Sequence, residues 1–150
     1  MSVWIDDKKP RLLAVVPCED VAASASMGDG RVSLQRVFYD LYAGAFPAAF
    51  ERLNVATMWM GGEGEYTIGA RLTGPDGTVL AEAQIAHRCE PEPTTMIHLI
   101  HFSSDGVVTM VLPQPGQYTV EILLDGMPVS TFPLFVVEIR RIEVEDNGES

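Results

Sequence analysis

The sequence predicts an all-β protein: a two-sheet antiparallel β-sandwich of about nine short strands with at most one short helix. Three observations predict it. Apolar residues alternate at period two through most of the chain, as in strands with one buried and one wet face. Turn chemistry recurs about every ten residues, as Gly-rich or Asp-Gly steps at 28–30, 61–64, 74–77, 103–106 and 125–126. Helical spacing surfaces only once, over residues 39–52. A chain of 150 residues fits a single domain, 1–150 with its core over 12–138, and buries roughly 70% of its unfolded surface.

Taken in order, residues 12–18 are apolar in both phases, as in a strand covered on two sides. Residues 19–30 read as a loop ended by Met27-Gly28-Asp29-Gly30. Val32, Leu34 and Phe38 then share one phase against Ser33 and Gln35, giving a strand over 31–38 that Arg36 interrupts. Tyr39, Tyr42, Phe46 and Phe50 recur at spacings of three and four, so a crossing loop is expected, with a helical turn over 47–52 opened by Pro47. Its aromatics either close one end of the core or line a ligand groove.

Residues 53–60 form the next strand, ending in Met58-Trp59-Met60 and broken by Gly61-Gly62-Glu63-Gly64. Tyr66, Ile68, Ala70 and Leu72 alternate cleanly with polar or small residues, and Val79, Ala81, Ala83 and Ile85 answer across the tight loop Gly74-Pro75-Asp76-Gly77. Pro91 and Pro93 exclude a central strand over 89–95, because proline cannot donate to a ladder. Strands over 97–102 and 107–112 flank Ser103-Ser104-Asp105-Gly106.

A hairpin over 113–137 closes the domain, and residues 138–150 form a charged end that pairs briefly through Ile142 and Val144. In the hairpin Asp125-Gly126 suits a type I′ turn, since both positions need φ > 0. Such a turn sets Leu124 opposite Met127, Ile122 opposite Val129 and Val120 opposite Thr131. The apolar phase then slips to Phe132, Leu134 and Val136, which predicts a β-bulge between Ser130 and Pro133. Pro115-Gly116-Gln117-Tyr118 at the strand start predicts a tyrosine corner, a ring at the end of the core whose hydroxyl returns to backbone.

The run at 12–18, Val32-Ser33-Leu34-Gln35-Arg36-Val37-Phe38, Ala45-Phe46-Pro47, Gly74-Pro75-Asp76-Gly77 and the 115–137 hairpin, in that order, resemble an uncharacterised family of small bacterial immunoglobulin-like β-sandwich proteins. The resemblance spans 12–138 and implies a cytosolic, immunoglobulin-like fold. It lends no activity and no catalytic residue.

Composition narrows the functional classes. A net charge of −11 lacks the basic footprint that nucleic acid or an anionic membrane requires, and no run approaches the ~20 apolar residues of a membrane span. The carboxylates are dispersed, as on a solvated surface. Two cysteines, Cys18 and Cys89, are too few for a disulfide framework and match a reducing cytoplasm, and the N-terminus has no signal-peptide core.

One cluster carries candidate chemistry: His87, Cys89, His98 and His101 are ligand types that zinc prefers. Their spacing opposes the reading. His98 and His101 differ by an odd number, so on one strand they face opposite sides, whereas His87 and Cys89 share a face. Glu19, Asp20, Asp29 and Asp105 are the calcium alternative, gathered from loops. Ser103, Ser104 and Ser130 lack a nucleophile elbow, and no phosphate-cradling glycine loop opens a helix, so no catalytic residue is assigned.

The expectation is therefore a non-enzymatic module with no cofactor, binding a protein partner or self-associating through Phe132, Leu134, Val136 and Trp59. A zinc site at the His/Cys group is one alternative. A small-ligand or carbohydrate binder using Trp59 and the aromatics of 39–50 is the other.

Overall fold

A computed structural model describes residues 8–23, 31–89, 95–104, 106 and 108–140. Its strands are β1 (Arg11–Cys18), β2 (Asp20–Ala23), β3 (Val32–Gln35), β4 (Asp40–Ala43), β5 (Ala48–Glu51), β6 (Asn54–Met60), β7 (Glu65–Thr73), β8 (Val79–Arg88), β9 (Thr95–His101), β10 (Thr109–Leu112), β11 (Gly116–Leu124) and β12 (Met127–Glu138). One sheet has the order β1-β6-β9 and the other β4-β12-β11-β7-β8; β10-β5 and β2-β3 form two ribbons.

The strand count exceeds nine because β2, β4 and β5 form in segments expected to be loop or helical turn. β5 and β6 are separated only by Arg52, at φ 59, and Leu53, while β9 and β10 pair antiparallel with β6 and β5 in turn. Leu53 C=O accepts the Phe102 N–H at 3.0 Å between the two ladders, so β10-β5 continues the three-stranded sheet past a kink. The residues expected to start a helical turn are thus a strand: Ala48 to Glu51 find ladder partners on β10, which a helix would forfeit.

Two further expectations change. Asp20 to Ala23, read as loop, pair with β3, whose strand stops at Gln35 because Arg36 takes φ 54. The sandwich is not wholly antiparallel, since β4 runs parallel to residues 135–138 of β12. The remaining pairings are antiparallel.

The sheets meet through one core. Val55, Trp59 and Ile100 from the smaller sheet pack with Ile68, Ala70, Leu72, Tyr118, Val120, Ile122, Leu134 and Val136 from the larger, all at most 3% exposed. Met110 and Leu112 of β10 join them, and Phe46 and Phe50 pack against the same cluster. Tyr118 forms the tyrosine corner: its hydroxyl donates to Gln114 C=O at 2.6 Å and accepts the Gln114 N–H at 3.3 Å.

The closing hairpin turns at Asp125 (φ 50) and Gly126 (φ 82), and Leu124 faces Met127. Its bulge comes earlier than expected. The register shifts at Ile122/Leu123, where Leu123 pairs with Pro128 and Ile122 with Ser130, so Val129 is the extra residue. Val120 consequently faces Phe132, not Thr131, and Tyr118 faces Leu134. With that extra residue ahead of them, Phe132, Leu134 and Val136 take the phase that packs on the core. Among the described residues no helix is long and apolar enough to cross a membrane.

Candidate functional site

The two lateral edges of the sandwich are built differently. At one, β8 is the edge of the larger sheet and β9 of the smaller, and the chain crosses between them after Cys89. At the other, β1 faces β12.

His87 follows Ala81, Ala83 and Ile85 on the core side of β8, and its register partner on β7 is Tyr66. The period of two turns it inward, to 3% exposure. His98 stands opposite Thr57 on β6, between Met96 and Ile100, and faces the same interior. The rings meet edge-on, centroids 4.9 Å apart and planes at 86°, with His87 Nδ1 and His98 Nε2 at 2.8 Å. One nitrogen donates and the other accepts, so the pair is satisfied when both rings are neutral. Trp59 lies 6.4 Å from His87 between ring centroids, and its Nε1–H donates to Thr57 Oγ1 at 2.8 Å. Thr57 in turn donates to His98 C=O at 3.1 Å. Burial, and then the neighbouring His87, hold His98 below the ordinary histidine range.

His101 takes no part in this pair. It pairs with Asn54 in the β6-β9 ladder, on the other face of the smaller sheet. Asn54 Nδ2 donates to Glu19 C=O at 2.8 Å, so its Oδ1 accepts from His101 Nδ1 at 2.6 Å. That bond fixes the tautomer, and His101 Nε2 is buried with no partner among the described residues. Cys89 stands by Gly62, where an added Cβ would come within 2.7 Å of its Sγ. Burial, then Glu63, raise its thiol above the ordinary value, and burial does the same to Cys18. Both thiols are free. The structure thus joins His87 with His98 and sends His101 elsewhere, and among the described residues no three His, Cys, Asp or Glu side chains stand together to hold a metal ion.

The other candidates separate as well. Glu19 pairs with Arg36 at 3.0 Å and Asp20 caps the Val21 N–H at 2.8 Å, while Asp29 and Asp105 lie outside the described residues, as do Ile142 and Val144. Ser104 Oγ accepts the Val111 N–H at 3.0 Å, which is turn chemistry. Trp59 is 1% exposed and offers no face to a sugar. Leu134 and Val136 are each 2% exposed and so face the core instead of a partner, while Phe132 is half-buried, packing on the core and lining the groove described next.

The apolar surface belongs to the opposite phase. Val129, Phe135 and Val137 of β12, Leu13 of β1, and Tyr39 and Tyr42 around β4 are all exposed. Leu13, Tyr39, Val129 and Phe135 border a groove of ≈ 560 Å³ between β1 and β12, lined also by Leu12, Val15 and Phe132 among others, with Asp40 the one charged lining residue among those described. The sequence held one signal for this groove: residues 12–18 are apolar in both phases, more than one core face needs. Of the aromatic run, Tyr39 and Tyr42 remain outside while Phe46 and Phe50 pack against the core.

No curated protein matches the chain. A family model, described as a family of unknown function, DUF6941, matches residues 14–137, from within β1 to within β12. The match takes in most of the sandwich, the histidine pair and the groove walls apart from Leu12 and Leu13, and the chain belongs to the DUF6941 family.

Proposed function

We propose that this chain is a non-enzymatic binding module that takes a protein partner at the open edge between β1 and β12. The observation that carries the reading is the groove itself, apolar on both walls and continuous with exposed Leu13, Val129 and Phe135. Scattered exposed apolar residues are ordinary, whereas a contiguous apolar cleft marks a contact site. The walls bring aromatic and aliphatic anchors with little charge, the composition of an interface centre. The dispersed negative charge elsewhere keeps the rest of the surface in water.

The test is site-specific photo-crosslinking in cells that express the chain, with the reactive side chain at Val129 or Phe135, and at Gln84 on the other edge as control. Discrete protein adducts from both groove positions, absent from Gln84, are expected. Equal adduct patterns at the three positions, or none from the groove, would overturn the reading.

A further inference from the structure

The edge opposite the groove fits a second copy of the chain. We propose that two copies associate by antiparallel pairing of β8 with β8 about a two-fold axis at Ile85, joining their larger sheets into one continuous sheet. β8 is the outer strand of its sheet, ten residues long, and among the described residues no strand pairs with its free side. It lacks the usual protections of an edge. Its sequence, Val-Leu-Ala-Glu-Ala-Gln-Ile-Ala-His-Arg, holds neither proline nor lysine, and its register irregularity lies at Leu80, ahead of the stretch from Glu82 to Arg88.

Hydrogen-bond parity decides which residues an added strand would meet. Thr67 C=O accepts the Asp125 N–H at 2.8 Å, so the odd residues of β7 bond to β11 and the even ones to β8. Cys89 N–H donates to Gly64 C=O at 2.9 Å, in phase with the Tyr66–His87 and Ile68–Ile85 pairs. Glu82, Gln84, Ala86 and Arg88 therefore turn N–H and C=O away from β7, and their side chains are exposed. Only a register that pairs even residues with even ones makes a ladder.

Charge selects one such register. On the outer face Glu121, Arg71 and Glu82 stand in one row across β11, β7 and β8, with Arg71 Nη1 2.8 Å from Glu121 and Nε 2.9 Å from Glu82. The row alternates in sign and stops at the edge on a carboxylate. A two-fold at Ile85 sets Glu82 opposite Arg88 of the second copy and Arg88 opposite its Glu82, so the alternation runs on across the junction. Within its own chain Arg88 makes only a 3.9 Å approach to Glu65, both side chains being exposed. Ile85 lies in the core-side phase yet is 37% exposed, and in this register its own counterpart covers it. Moving the axis to Gln84 puts Glu82 opposite Ala86 and loses both ion pairs. An axis at Glu82 sets like charges face to face.

One strand pair is a small interface, so a monomer–dimer equilibrium within reach of dilution is expected. The net charge of −11 opposes association, and salt at about 0.15 M screens it beyond ~8 Å while leaving contacts inside the ladder.

Sedimentation velocity of the full chain in that salt, from about 1 μM to about 1 mM, should pass from monomer to dimer. Glu82→Arg and Arg88→Glu each place two like-charge contacts across the axis and should raise the dissociation constant at least about tenfold. Mixed in equal amounts, the two variants set opposite charges at both contacts, and the dimer should return as a heterodimer. In the unsubstituted chain, amide hydrogen exchange should slow with concentration at Gln84 and Ala86, whose outward N–H groups the pairing engages. A chain that stays monomeric, a dimer indifferent to either reversal, folded variants whose mixture restores nothing, or a dimer that leaves the Gln84 and Ala86 amides unprotected would each overturn the proposal. If a variant fails to fold, the exchange measurement decides alone. The pairing is independent of the groove, since photo-crosslinking from Gln84 would yield a covalent dimer of the chain itself, distinct in mass from a partner adduct.

Discussion

Leu134 and Phe135 are chain neighbours with opposite surroundings, and truncating each to alanine separates the core from the proposed contact face. Leu134 is 2% exposed and stands opposite Tyr118, so Leu134→Ala removes buried methyl groups and leaves a cavity. Such losses cost about 2–5 kcal/mol. Phe135 is 43% exposed. Full burial of a phenylalanine is worth about 2–3 kcal/mol, and with nearly half its surface in water Phe135→Ala should cost about 1 kcal/mol. A chain of 150 residues unfolds with an entropy of about 0.3 kcal/mol/K, so 1 kcal/mol displaces Tm by about 3 °C. Thermal unfolding followed by circular dichroism should therefore show a fall of about 6–15 °C for Leu134→Ala and about 3 °C for Phe135→Ala. A urea series should move the midpoint at constant slope. If Phe135→Ala proves as damaging as Leu134→Ala, the bulge at Val129 and the inward phase built on it are wrong. Folded Phe135→Ala protein that loses its groove adducts would locate the defect in binding, whereas a loss confined to Leu134→Ala would be one of stability.

Three further outcomes are expected. Tyr118→Phe leaves the Gln114 carbonyl without its 2.6 Å donor; Gln114 is exposed, water replaces the bond in part, and the loss should be about 1 kcal/mol by urea unfolding. No shift of midpoint would remove the corner from the stabilising contacts. Gly62 has φ +96, and an added Cβ would meet Cys89 Sγ and Pro10 N at 2.7 Å, whereas Gly61, at φ +76, faces open space. Gly62→Ala should thus cost about 2–3 kcal/mol and Gly61→Ala about 1 kcal/mol, and equal losses would refute the crowding argument. For His98, whose folded pKa lies below its ordinary 6.5, the unfolded chain binds the extra proton. Its contribution is fully present above pH 6.5 and is lost as pH falls from there through the folded value, with a slope of at most about 1.4 kcal/mol per pH unit. Urea midpoints across that window should decline with acid in the parent and flatten in His98→Gln; a decline of the same size in both would place the titration elsewhere.

Much of the fold was legible because its signals are local. The type I′ turn needs only Asp125 and Gly126, the tyrosine corner needs a ring a few residues after a proline-glycine turn, and the β7-β8 hairpin follows from alternation on either side of residues 74–77. The opposite directions of His98 and His101 followed from strand parity alone. What misled were elements whose state is set by the strand they pair with and not by their own residues. Residues 48–51 carry helix-compatible spacing, yet β10, about sixty positions on, supplies their ladder. Residues 20–23 are short and weakly apolar, and only pairing with β3 makes them a strand.

The candidate site divides along the same line. By itself the sequence determined an all-β sandwich, the inward phase of most strands, and a histidine-rich stretch whose members do not share one face. Tertiary structure decided which histidine meets which, because His87 and His98 touch only where two sheets lie over one another. It also decided which apolar residues face water. One inserted residue at Val129 exchanges the two faces of β12, burying Leu134 and Val136 and exposing Phe135 and Val137. Alternation states that two faces differ; the position of a bulge, set by the packing of all the strands together, states which one is inside.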